Sequence, residues 1–222
     1  MSDARKTNVE SAQARGNIYG LLTRVFRAEP DTEFIRELKG SELAEVFSAL
    51  DVDLGSDFQN LPEAGLREEL AIEFTRLFLG PGTHISAHES IFVEVDGDSG
   101  GLWGKGTVAV KKFIESTGLA YDDDFTGLPD HISVELEFMQ RLTDWEAELW
   151  EKGEDEHAQH CLGLQKMFAE QHLLKWVPEF CSRVIDAAEL PFYREIAKMT
   201  VDFLEFERQS IATDAAAPEA RI

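Results

Sequence analysis

Along most of this chain apolar residues recur every three to four positions, the spacing that gathers them on one face of an α-helix. Ile18, Leu21, Leu22, Val25 and Phe26 mark such a face within residues 8–28. Pro30-Asp31 punctuates the chain, and short helices are predicted at 31–39 and 41–50, on either side of Gly40. The polar run 51–61 reads as a loop. From Pro62 the helical pattern returns through Leu66, Leu70, Phe74, Leu77 and Phe78. Gly80-Pro81-Gly82 then ends it, because proline cannot continue a helix and glycine admits backbone angles that other residues avoid. Residues 80–104 show no regular period, and so long a connection inside a compact chain is often functional. Its middle, residues 90–95, is predicted as a short extended piece. A helix over 105–117 stops at Gly118, and Asp122-Asp123-Asp124 lies in a second loop. Helices at 129–151, 154–174, 176–188 and 191–209 fill the C-terminal half, and the small, polar residues 211–222 read as a disordered tail. The fold class is therefore all-α, with about eight to ten helices in one globular domain over residues 1–210.

Charge narrows the functional classes. The 222 residues carry 43 acidic and 21 basic side chains, a net charge of −22. Such a surface repels phosphate backbones, which excludes nucleic acid as a partner. It attracts basic peptides and speeds their encounter. Adaptation to high salt would produce the same acidity, and the sequence leaves both explanations open. No window approaches the length of a membrane-spanning apolar run. The N-terminus, Met-Ser-Asp-Ala-Arg-Lys-Thr-Asn, lacks the apolar core of a secretory signal, so the expected location is the cytoplasm. Cys161 and Cys181 are too few for a disulfide framework and are expected as reduced core thiols.

Candidate chemistry is sparse. Glu154-x-x-His157, with His160 and Cys161 nearby, has a spacing used by di-iron bundles, but those need the motif on two helices and it occurs once here. His84 and His88 would share a helix face, but they follow Gly80-Pro81-Gly82 and read as loop. No Walker A motif, Gly-x-Ser-x-Gly elbow or reactive cysteine context appears. The chain is expected to be no enzyme, with no catalytic residues, and to hold no metal, flavin or molybdopterin. One Asp-His pair stands apart. Pro129 suits a helix's first turn, and Ile132, Leu136, Met139 and Leu142 follow at core spacing. That places Asp130 and His131 where a buried helix emerges, a favourable position for negative charge. Phe74, Phe78, Phe92 and Trp103 flank the long loop, either as packing for its base or as a groove for an apolar peptide.

Four separated blocks complete the picture. They are Glu73-Phe-Thr-Arg-Leu-Phe-Leu-Gly-Pro-Gly82; His88-Glu-Ser-Ile-Phe92; Asp130-His131 with Glu135-Leu-Glu-Phe-Met139; and Phe168, His172, Leu173, Trp176 with Pro191-Phe-Tyr193. Over residues 12–208 their order and spacing resembles the TorD/DmsD/NarJ family of redox-enzyme maturation chaperones. In one place the chain departs from it. Family members often carry Glu-Pro-x-Asp-His, and this chain reads Gly127-Leu128-Pro129-Asp130-His131, without the acidic residue.

The resemblance implies a cytoplasmic chaperone with a single helical domain. Its client would be the catalytic subunit of a molybdopterin oxidoreductase, recognised through a twin-arginine leader or an N-terminus that is not exported. Cofactor insertion and assembly would precede export, with cofactor-insertion proteins as further partners. The candidate peptide-binding residues are Asp130, His131, Phe74, Phe78, Gly80, Pro81, Glu89, Ser90, Phe92 and Trp103. Carboxylates suit guanidinium groups, and an aromatic groove suits the apolar stretch that follows them. Two other classes compete: a helical metalloenzyme with a His/Glu site, and a generic acidic helical interaction module.

Overall fold

A computed structural model describes residues 2–94, 101–121 and 125–214. Among the described residues ten α-helices run in order: α1 (Asp3–Arg27), α2 (Thr32–Leu38), α3 (Ser41–Ala49), α4 (Ser56–Asn60), α5 (Glu63–Phe74), α6 (Lys105–Ser116), α7 (Ile132–Lys152), α8 (Asp155–Phe168), α9 (Leu174–Ala187) and α10 (Pro191–Asp214). A π-turn, Thr75–Leu79, extends α5, and another, Ala169–Leu173, joins α8 to α9. Among the described residues there are no strands, only an isolated bridge between His88 and His131. The fold is all-α. No described helix is long and apolar enough to cross a membrane.

The chain divides into two compact units. The first takes the chain up to Thr23, His88–Val177 and the chain from Leu204 onward, and the second takes Arg24–Ala87 with Pro178–Phe203. In the first unit α7 and α8 pack as a hairpin turned at Gly153, whose φ of +78° is left-handed. Glycine pays no Cβ penalty in that conformation, so Gly153→Ala is expected to cost about 1 kcal/mol in a urea titration. The α1 helix lies close on α7 through Gly16 and Gly20. A Cβ on Gly16 would meet Asp144 Oδ1 at 2.9 Å, and one on Gly20 would meet Gln140 Nε2 at 2.8 Å.

A buried ion network spans the same unit. From α1, Arg15 donates to both Glu207 oxygens (2.7 and 3.0 Å), to Glu146 Oε2 (2.9 Å) and to Gln165. Tyr19 donates to Glu207 as well, and Trp150 Nε1 donates to Glu146. Four helices, α1, α7, α8 and α10, thus share one polar knot. Burial opposes the guanidinium's charge, but Glu207 and then Glu146 more than restore it, so Arg15 holds its proton more tightly than usual.

Aromatic packing fills the second unit. Phe78 meets Phe26, Phe74, Phe180 and Tyr193 with ring centroids 5.0–6.2 Å apart. Glu73 ties the end of α5 to the turn before α10, accepting from Arg76 and from the Glu189 N–H.

Several boundaries differ from the sequence reading. The expected loop 51–61 contains α4, because Phe58 is buried and stacks on Phe192 at 5.8 Å, a tertiary contact that no local pattern encodes. The helices expected at 154–174 and 176–188 form one continuous run, since the π-turn Ala169–Leu173 leads directly into α9 at Leu174. Residues 211–214, expected in the tail, continue α10; residues 215–222 lie outside the described residues, as do Asp122, Asp123 and Asp124.

Candidate functional site at the start of α7

The α7 helix begins at Ile132, one turn later than its apolar pattern suggested, and His131 is its N-cap. His131 Nδ1 accepts the Ser133 N–H at 3.2 Å, which satisfies one of the helix's open donors. The Ser133 hydroxyl, 2.9 Å from the same nitrogen, must then donate to it too, so the ring proton sits on Nε2. Pro129 and Asp130 stand in the turn before the helix.

Asp130 does not emerge to solvent. It is 0 % exposed, against the expectation for a helix-start carboxylate. The reason is local: its Oδ2 accepts the Ser90 N–H at 3.0 Å, and its carbonyl accepts the Glu89 N–H at 2.9 Å. These bonds fasten residues 88–92 to the start of α7. That segment is a 3₁₀ turn, Glu89–Ile91, where an extended piece had been expected. It closes on itself because the Ile91 N–H bonds to His88 and the Phe92 and Val93 N–H groups bond to Glu89. Of the residues expected to extend, Val95 lies outside the described residues.

Glu89 anchors the turn from inside. Its Oε2 lies 2.8 Å from His172 Nδ1 on the π-turn after α8, and both side chains are buried. Glu135, one turn into α7 and 0 % exposed, accepts from Trp176 Nε1 at 3.1 Å. Burial, and then the neighbouring Glu89 carboxylate, push the Glu135 carboxyl well above the usual carboxylate range. Among the described residues its other oxygen, Oε1, is buried without a hydrogen-bond partner. Asp130 Oδ1, Ser90 Oγ and Tyr121 OH are also buried without a hydrogen-bond partner. The His88 ring stands edge-on to His131 at 4.9 Å; burial lowers the His88 pKa, opposed by Asp130. Buried carboxyl and imidazole groups from α7, the α8–α9 junction and the 3₁₀ turn thus form one hydrogen-bonded cluster. In the same segment Ile91 is exposed, and Phe92 is half-buried 5.4 Å from the Trp176 ring.

Asp130, His131, Glu89, Ser90 and Phe92 therefore meet in one place. Trp103 belongs to the same unit, before α6, at φ +69° and 69 % exposed. Phe74 and Phe78 are core members of the second unit's aromatic cluster; there Gly80 is half-buried and Pro81 exposed. Four members of the cluster were not among the candidates: His88, Glu135, His172 and Trp176. Glu135 and His172 were detectable as polar residues on apolar stripes, at Ile132-x-x-Glu135-Leu136 and at Phe168-x-x-x-His172-Leu173. Elsewhere His157 pairs with exposed Glu154 at 3.0 Å, and Cys161 is buried with its thiol on the Leu142 carbonyl. Among the described residues, no three His, Cys, Asp or Glu side chains are grouped as a metal ion would require.

The nitrate reductase delta subunit family matches residues 37–182, a span that holds the whole cluster. The chain belongs to this family. Curated relatives extend the likeness to nearly the full length. Chaperone protein TorD of Vibrio atlanticus is 26% identical over 96% of this chain and 99% of its own. Chaperone protein TorD of Photobacterium profundum is 27% identical over 88% and 93%. The fold is similar to that of an Archaeoglobus fulgidus crystal structure described as a redox enzyme maturation protein, with a TM-score of 0.53 and 21% identity over 86% of this chain and 93% of that one. The curated relatives matched over nearly the full length are named chaperones, in keeping with the TorD/DmsD/NarJ resemblance of the sequence.

Proposed function

We propose that this family member is a cytoplasmic maturation chaperone for a molybdopterin oxidoreductase. It binds the leader peptide or N-terminal segment of the catalytic subunit and holds that subunit back while the cofactor is inserted and the enzyme assembled, before any export. Cofactor-insertion proteins are its further partners. Beyond the family, one observation supports the reading most: a buried hydrogen-bonded cluster fixes residues 88–92 and leaves Ile91 and Phe92 at the surface of a chain with net charge −22. Pre-formed apolar surface lowers the ordering cost of capturing a peptide. The long-range field draws basic segments toward it. Asp130 acts here by positioning the turn, through the Ser90 and Glu89 N–H groups that it holds.

The test is a calorimetric titration with the client's N-terminal peptide, run with Arg-Arg and with Gln-Gln at the twin positions. The Arg-Arg form is expected to bind at least about tenfold more tightly, equivalent to about 1.4 kcal/mol. Raising salt should slow association more than it weakens the final complex, because steering is screened and apolar contacts are not. Asp130→Ala frees the turn and should weaken binding too. Equal affinity for the two peptides would refute the reading.

A further inference from the structure

The 3₁₀ turn Glu89–Ile91 is held in place from outside itself. It closes locally through the Ile91, Phe92 and Val93 N–H groups, and a single helical turn of that kind is not stable alone. Its seat comes from the rest of the first unit. The Glu89 N–H bonds to the Asp130 carbonyl and the Ser90 N–H to the Asp130 carboxylate, at 2.9 and 3.0 Å. The Glu89 side chain meets His172 at 2.8 Å, and Phe92 lies against Trp176. The side-chain anchors at Asp130, Glu89 and His172 are all titratable.

Acidic groups crowd beneath the turn. Glu89, Asp130 and Glu135 are 2 %, 0 % and 0 % exposed, and the buried side chain paired with Glu89 is His172. Glu135 feels the carboxylates of Glu89 and Asp130, while Trp176 Nε1 donates to it at 3.1 Å. The other titratable groups around the turn are His88, His131 and Tyr121, and Tyr121 is acted on in turn by Glu115, Glu135 and Asp130. Burial, and then Glu89, favour the protonated form of Glu135. Two ionised carboxylates side by side inside a protein repel strongly, because little water screens them. While Glu135 is neutral, the Glu89–Glu135 pair carries one negative charge, next to His172. Once Glu135 ionises, a second charge occupies the same dry space. Lifting the turn takes Glu89 away from Glu135 and lets water reach both, so ionisation favours the open arrangement.

We propose that Glu89–Ile91 is a proton-sensitive latch, seated on the start of α7 while Glu135 is protonated and released when that proton passes to solvent. The released segment carries Ile91 and Phe92 with it. The closed turn binds one proton more than the open one, so raising the pH favours opening, by up to about tenfold per pH unit. The latch stands on the geometry of the cluster, whatever the chain binds. Its use, to loosen the peptide surface as pH rises, rests on the function proposed above.

The test is amide hydrogen exchange of the ¹⁵N-labelled full chain from pH 5 to 8, expressed as protection factors, which remove the intrinsic pH dependence of exchange. The N–H groups of Glu89, Ser90 and Phe92 are expected to be less protected than those of Met139 and Leu142 inside α7, because the turn opens locally. They should also lose at least about tenfold of their protection across that range. In Glu135→Gln, which has no carboxyl proton to lose, their protection should stay level. Protection of the turn equal to that of α7 at every pH would overturn the latch, since the turn would then open only with the whole fold. So would a decline that Glu135→Gln shares with the parent, and so would a flat profile in the parent itself, which needs no variant. None of these results involves a client peptide, so the latch can fail while the proposed capture stands, and the reverse.

Discussion

Replacing Arg15 with methionine should lower stability by about 3–5 kcal/mol, because it leaves Glu207 and Glu146 buried without their cation. In a chain of this size that is a fall in melting temperature on the order of 10 °C. Methionine nearly fills the space, so the loss reports charge and hydrogen bonds more than a cavity. Thermal and urea melts of parent and variant check it; a loss below about 1 kcal/mol would mean that the network contributes little beyond packing. The prediction is large because the knot joins α1, α7, α8 and α10 at side chains that have almost no access to water.

Glu135→Gln should do the reverse at high pH. The folded Glu135 carboxyl is raised well above its usual 4.5, so it holds a proton that the unfolded chain has already lost. Between 4.5 and the raised folded value the native state binds the extra proton, and stability falls as pH rises through that window. Each pH unit crossed costs about 1.4 kcal/mol. Glutamine keeps the oxygen that accepts from Trp176 and supplies a permanent donor toward Glu89. The variant's stability should therefore be flat where the parent's declines, and at pH 8 the variant should be the more stable protein. Parallel pH profiles would show that Glu135 titrates normally and that Glu89 does not lean on its proton. Substitution by leucine is the useful contrast, since it strands the Trp176 N–H.

The legible parts of the sequence were those that local rules control. Helical periodicity placed the long α7 and α10 segments, and Gly80-Pro81-Gly82 marked the end of the α5 extension. Asp130 and His131 could be singled out because a proline and an apolar stripe frame them. The burial of Asp130 could not be read, because it depends on the Ser90 and Glu89 amides forty residues earlier. The same holds for the Glu89–His172 contact, which joins positions 83 residues apart. The 3₁₀ turn at Glu89–Ile91 looked extended because its residues alternate weakly; it curls because its carbonyls and amides satisfy one another. The α4 helix was hidden by a polar composition that only the Phe58–Phe192 stack overrides. Helix interiors followed pattern, whereas the site followed long-range hydrogen bonds.

Selective recognition of an oxidoreductase by its N-terminal segment is tested most directly by affinity capture with the tagged chain from its own host, with the bound proteins identified by mass spectrometry. The experiment is then repeated after deleting the N-terminal segment of the captured partner. The expected result is a molybdopterin oxidoreductase catalytic subunit, captured before its cofactor is in place and lost on the deletion. Capture without any such enzyme, or capture indifferent to the deletion, would contradict it.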